Sequence, residues 1–153
     1  MSERGKKDSP DQLSFRVHCQ KWLEKNHPGD PPIKLPLGAL ELSEPESMKW
    51  LQKWQRSAYN GGLIGCDYPK TYGGGGLKDC QQIADQEMKR AKTPYLPNII
   101  GMGMAAPTIL FHAQEEVKKE LLPKLLSGEE MWCQGFSEPG AGSDLANQQT
   151  FAV

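Results

Sequence analysis

Between Ser137 and Asp144 the sequence reads Ser-Glu-Pro-Gly-Ala-Gly-Ser-Asp, and here the residue types come closest to chemistry. Small residues let successive backbone amides converge on an anion such as a pyrophosphate, and Ser137 and Ser143 add hydroxyl donors. The same residues suit an ordinary Pro-Gly turn between two strands, and composition alone leaves the two readings level.

Sharper motifs fail on spacing. Gly140-Ala141-Gly142 begins a GxGxxG, but Leu145 occupies the last glycine position and no βαβ unit surrounds it. Gly101 to Ala106 matches GxGxxA inside an apolar helix with no strong strand before it, which favours close packing. Gly135 to Pro139 departs from a nucleophile elbow at Pro139, and no acid and His follow in the required order. The glycines at 73 to 76 lack Walker spacing and read as a mobile or tightly turned loop. His18, His27 and His112 have no partner that suggests general-base work and read as surface or capping residues. Cys19, Cys66, Cys80 and Cys133 form no CxxC pair and no zinc pattern, so free thiols and no metal are expected.

Helices must position these residues. Ser9-Pro10-Asp11-Gln12 reads as a capping box opening a helix to about Lys25, with Phe15, Cys19, Trp22 and Leu23 on one face. Ser43 to Glu46 suggests a second box before Met48, Leu51, Trp54 and Ala58, with Trp50 and Trp54 as core or interface aromatics. A third amphipathic helix is expected from Leu77 to Ala91. From Asn98 to Ala113 the apolar residues cover every face, which predicts burial among other helices, and Glu115 to Leu126 returns to an amphipathic pattern. Met131 to Phe136 then reads as a short strand. The expected fold is an all-α helical domain of about five helices plus the first strand and loop of an incomplete β domain. Its expected divisions are a disordered stretch 1–10, a helical domain 11–129 and a truncated β start 130–153.

Among 153 residues, 18 Lys and Arg oppose 19 Asp and Glu, so no basic field recommends nucleic acid or an anionic membrane. No apolar run is long enough for a membrane span, and the N-terminus lacks signal-peptide character. A cytoplasmic setting is the expectation, with a mitochondrial matrix open for a eukaryotic source.

Four segments taken in order carry a resemblance: Tyr68-Pro69-Lys70-Thr71-Tyr72-Gly73-Gly74; Asn98-Ile99-Ile100-Gly101 with Pro107; Glu115-Glu116-Val117-Lys118 through Leu122-Pro123, Gly128-Glu129 and Trp132; and Ser137 through Asp144. Together they resemble the N-terminal portion of the acyl-CoA dehydrogenase family, ending at the start of the middle β domain. The resemblance implies an FAD-dependent oxidoreductase of fatty-acid or other lipid metabolism. Such enzymes remove an α-proton from an acyl-CoA thioester with a carboxylate and pass the β-hydrogen to the flavin, giving a 2,3-enoyl-CoA. It implies further that Gln134, Phe136 and Ser137 approach the flavin ring, and that Gly142 and Ser143 meet the FAD pyrophosphate and the CoA portion. Glu138 and Asp144 would hold the loop's shape, and Tyr95, Leu96 and Ile99 would wall the acyl chain. An electron-transfer flavoprotein-like acceptor and a homo-oligomer are the implied partners. No acid here occupies a motif matching the family's catalytic glutamate, so no catalytic residue is assigned and the chain alone is expected to be inactive. Phe151 and His112-Ala113 also depart from the family pattern.

A reading from a different class is a non-catalytic helical module that binds another dehydrogenase subunit through the apolar segment Asn98 to Ala113 and the orphan strand. An independent nucleotide-binding domain would need a βαβ pattern that the sequence lacks.

Overall fold

A computed structural model describes residues 8–135 and 137–151. The described residues form five α-helices: α1 Pro10–Asn26, α2 Pro45–Asn60, α3 Gln81–Arg90, α4 Ala106–His112 and α5 Glu115–Ser127. Residues 1–7 of the expected disordered stretch lie outside the described residues, while Ser9 and Pro10 are the cap and first residue of α1.

α1 starts as its local sequence dictates. The Ser9 hydroxyl accepts from the Gln12 amide at 3.3 Å and the Gln12 side chain accepts from the Ser9 amide at 2.9 Å. A cap of this kind stabilises by about 1 kcal/mol. The helix ends where His27 turns its ring back: Nδ1 accepts from the Gly29 amide, so in the neutral ring Nε2 carries the proton and donates to the Ala91 carbonyl. Cys19 and Leu23 are buried, and Arg16 reaches across to the buried carboxylate of Glu87 on α3 at 2.8 Å.

The expected box at Ser43 does not form. Glu44 caps α2 without a side-chain bond, because Pro45 fixes the first turn one residue later than the box requires. α3 begins at Gln81 rather than Leu77. Asp67, 13 residues upstream of Cys80, accepts from the amides of Cys80 at 2.7 Å and Gln81 at 3.2 Å, so the helix is started by a tertiary contact.

The glycine run is tightly turned. Gly73 and Gly76 have φ of 81° and 64°, and Gly75, Gly76 and Leu77 donate to the carbonyls of Gly65, Tyr68 and Cys66. A Cβ on Gly74 would overlap the Tyr68 carbonyl.

Ile99 and Ile100 begin the fourth apolar segment, and Gly101–Ala105 widens into a π turn before α4. Pro107 lacks an amide and its ring would press on the preceding carbonyls of a regular helix, which the wider turn relieves. The segment is not buried on every face: Ala106 and Ile109 point into the core, but Met104 is 49% and Phe111 75% exposed. Only one side finds helices to pack against, chiefly α5.

Two apolar clusters result. The larger joins Cys19, Leu23, Trp54, Ala58, Ala84 and Leu126 with their neighbours; the smaller joins Ala106 and Ile109 of α4 to Leu122 and Leu125 of α5. Tyr68 packs against both.

The strand expected at Met131 to Phe136 is absent from its described residues 131–135, and only an isolated bridge, Glu138 with Ala141, follows. A strand needs a neighbour for its edge groups, and the segment instead gives the Trp132 amide to the Asn98 side chain.

Candidate functional site

The start of the fourth segment walls a cleft of about 290 Å³. Leu96 and Ile99 line it together with Ile64, Tyr68, Met102 and Leu126, so two of the three residues assigned to an acyl wall share one apolar surface. Tyr95 does not line this cleft. It faces an adjoining depression that shares Leu96 and Asp85 with the first, and its buried hydroxyl has no partner among the described residues. Gln81 and Asp85, neighbours at i,i+4 on α3, supply the polar part of the cleft wall. The approach of the Leu96–Met102 segment brings them to the edge of the cleft, with Gln81 half-buried and Asp85 exposed.

Asn98 sits beside the cleft and is 1% exposed. Its Nδ2 donates to the carbonyls of Leu125 at 3.0 Å and Glu130 at 2.9 Å, and its Oδ1 accepts from the Trp132 amide at 3.1 Å. Gly101 is small because a Cβ there would overlap this side chain. That close approach is internal to the segment, whereas Gly103 of the same GxGxxA faces open space. Gln55 reinforces the node by donating to the carbonyls of Leu125 and Leu126.

Downstream of the node the loop lies open. Gln134, Ser137, Gly142 and Ser143 are exposed, and none of them lines the cleft; Phe136 lies outside the described residues. Among the described residues no hydrogen bond engages the backbone amides of Gly142 or Ser143. The Glu138 carboxylate turns back to accept from the amides of Gln149 at 2.9 Å and Thr150 at 2.7 Å, and its bonds to Thr150 and Gln149 hold its pKa below the usual carboxylate value. The Asp144 carbonyl accepts from Asn147 and the Asn147 side chain donates to Gly140, so the loop is closed by its own polar groups.

The histidines do structural work: His18 Nε2 donates to the Gly61 carbonyl at 2.8 Å, His27 caps α1, and His112 is exposed at the end of α4. All four cysteines are free, with Cys133 exposed and the others buried; desolvation pushes the Cys19 thiol up to about 12. Among the described residues, no three His, Cys, Asp or Glu side chains gather to hold a metal, and no helix is long and apolar enough to cross a membrane.

Fold and site thus define a helical domain that offers an apolar cleft on its body and a donor-rich loop on its trailing segment. The family model described as "Acyl-CoA dehydrogenase, N-terminal domain" matches residues 35–129. Acyl-CoA dehydrogenase IpdE1 of Mycolicibacterium smegmatis is 37% identical over 139 residues, covering 90% of this chain and 35% of that protein. Acyl-CoA dehydrogenase FadE34 of Mycobacterium tuberculosis is 43% identical over 102 residues, 67% of this chain and 14% of that protein. The solved ChsE4-ChsE5 complex from Mycobacterium tuberculosis superposes with a TM-score of 0.62 at 27% identity, covering 95% of this chain and 35% of the matched one. A structure titled "Tcur3481-Tcur3483 steroid ACAD" gives 0.63 at 25% identity, with 94% and 36% covered. The chain belongs to the acyl-CoA dehydrogenase family and carries its N-terminal domain. It spans about a third of the length of relatives such as IpdE1. Members of this family are FAD-dependent dehydrogenases.

Proposed function

We propose that this chain is the N-terminal portion of an FAD-dependent acyl-CoA dehydrogenase that converts an acyl-CoA thioester to its 2,3-enoyl-CoA. In this reading residues 11–129 form the helical domain and 130–153 the start of the middle β domain. The observation that carries it is the cleft at Leu96 and Ile99, whose neighbour Asn98 anchors the segment leading to the Ser137–Asp144 loop.

The residues present suit FAD chemically. The unengaged amides of Gly142 and Ser143 and the hydroxyls of Ser137 and Ser143 are donors for an anionic pyrophosphate and a polar ring, while Glu138 is turned away onto Gln149 and Thr150. Gln134, Phe136 and Ser137 would meet the flavin ring, Gly142 and Ser143 the pyrophosphate, and Ser143 also the CoA portion. When bound, the flavin supplies the acceptor for the β-hydrogen. The chain's own part is to wall the acyl group with Leu96 and Ile99, with Tyr95 beside them, excluding water from carbons whose weak acidity makes a dry, oriented setting valuable. The base that takes the α-proton is not assigned to this chain, so it does not turn over alone. An electron-transfer flavoprotein as acceptor, a homo-oligomer and a cytoplasmic location belong to the same reading. The steroid enzyme among the structural relatives makes bulky, polycyclic thioesters a substrate class to include in its test.

The test is to purify the 153-residue chain, titrate FAD, and assay octanoyl-CoA and a polycyclic acyl-CoA with an artificial electron acceptor. No turnover is expected; tight flavin binding with turnover would refute the assignment of an incomplete site. A second reading, a non-catalytic module that binds another dehydrogenase subunit, is favoured by the exposed Met104 and Phe111 beside α5. Light scattering of the chain with a full-length homologue decides it, since a mixture in which each protein keeps the mass it has alone would exclude such binding.

A further inference from the structure

The acyl cleft contains one group that an unfunctionalised hydrocarbon tail does not need. Asp85 belongs to the walls of both the Leu96–Ile99 cleft and the depression beside it, so it stands where the two meet. Gln81 fixes it: the amide Nε2 donates both to the Leu63 carbonyl at 3.0 Å and to Asp85 Oδ1 at 3.0 Å, while its Oε1 accepts from the Cys66 amide. Among the described residues Oδ2 has no hydrogen-bond partner and Asp85 has no ion pair, although Lys89 follows one turn later on the same depression. Asp85 is exposed at the rim of the cleft, and the partial burial of its carboxyl against the apolar wall is the first cause that raises its pKa.

A carboxylate oxygen left open in such a wall penalises a methyl end and rewards a donor. We propose that Asp85 is a specificity-determining residue whose free oxygen accepts a hydrogen bond from a hydroxyl group carried on the distal part of the acyl chain. The inference rests on the cleft being the acyl site. Gln81, with both ends committed to backbone and Asp85, acts as a positioning residue that leaves only one oxygen available. A hydroxyl is favoured over an ammonium because most of the cleft wall is apolar and the Lys89 cation already lines the adjoining depression.

The two ideas separate in one experiment on the 153-residue chain. Decanoate, 10-hydroxydecanoate and 10-aminodecanoate are titrated by calorimetry, with methyl signals of Leu96, Ile99 and Met102 followed by NMR. The expected result is binding at these methyls with about tenfold tighter affinity for the hydroxy acid, the size of one charge-assisted hydrogen bond. Asp85→Leu should abolish that preference and tighten decanoate, and Asp85→Asn, which keeps an acceptor and guards against misfolding of the leucine variant, should retain part of it. Equal affinities in the wild type, or a preference that survives in Asp85→Leu, would overturn the role of Asp85 while leaving the acyl cleft standing. Tighter binding of the amine than of the alcohol would replace a hydroxyl specificity with a cationic one and overturn the proposal. No binding of any probe, or binding that leaves the three methyls unmoved, would overturn the cleft reading and Asp85 together.

Discussion

Replacing Asn98 with alanine would cut three hydrogen bonds at once: to the Leu125 carbonyl, to the Glu130 carbonyl and from the Trp132 amide. The Leu125 carbonyl keeps Gln55 Nε2 at 3.1 Å and the Gly128 amide at 3.3 Å, so it is not orphaned. The Glu130 and Trp132 groups are partly buried and recover only some of their bonding from water. At about 1 kcal/mol for each bond, the expected loss is about 3 kcal/mol, a fall of about 1.5 M in the urea midpoint for a slope of about 2 kcal/mol/M. Amide exchange at Trp132 should accelerate along with it, since the side chain that holds this residue has gone. Asn98→Asp sharpens the test, because it keeps the acceptor for Trp132 but sets a carboxylate against two carbonyl oxygens. Its folded pKa would be raised, so the penalty is full at neutral pH and is relieved as pH falls through the folded value. A midpoint for Asn98→Ala within about 0.3 M of the wild type, with Trp132 exchange unchanged, would refute the claim that this side chain fastens the trailing segment.

Glu87→Gln should cost about 2 kcal/mol, because it weakens the bonds of a buried carboxylate to Arg16 at 2.8 Å and Arg90 at 2.6 Å. Burial raises the Glu87 pKa, but its hydrogen bonds to Arg16, Arg90 and Gln20 outweigh that and leave it lowered, so its stabilisation is present at neutral pH and lost as pH falls through the folded value. Urea midpoints between neutral and acidic pH should show a shallower acid loss in the variant. Ellman's reagent should label Cys133 at once and Cys19, Cys66 and Cys80 only on unfolding; early labelling of more than one thiol would contradict the packing of the larger cluster. Gly74→Ala should destabilise by more than about 2 kcal/mol through its overlap with the Tyr68 backbone, whereas Gly103→Ala, facing open space, should be neutral or stabilise by up to about 1 kcal/mol in thermal melts.

What could be read in the sequence was local. The Ser9–Gln12 box lies within four residues and forms as written, and the periodic apolar faces of α1 and α2 settle on Cys19, Leu23, Leu51, Trp54 and Ala58. What could not be read was set by distant partners. α3 starts where Asp67 meets Cys80 and Gln81, a junction no window of periodicity contains. The apolar Asn98–Ala113 run announced hydrophobicity without saying how many neighbours would arrive, and Phe111 remains outside. Met131 to Gly135 had strand composition but met Asn98 instead of a strand edge. For the cleft, the family resemblance drew attention to Leu96 and Ile99, both of which line it, while nothing in the sequence pointed to Asp85. Its distinction is that Gln81 occupies one oxygen and that the exposed carboxyl stands at the edge of an apolar cleft, and both facts are tertiary.

Tyr68, wedged against both apolar clusters, makes the domain a body with a seam. α4 lies on the thinner side of it, seven residues long, with two buried side chains and an exposed Phe111, whereas α5 is stitched to the larger side by Leu126 and Gln55. Native-state amide exchange should therefore find α4 opening as a separate unit at lower free energy than α1 to α3. A molecule seated in the cleft would touch Tyr68, Met102 and Leu126 together, and so would slow that opening without touching α4 itself.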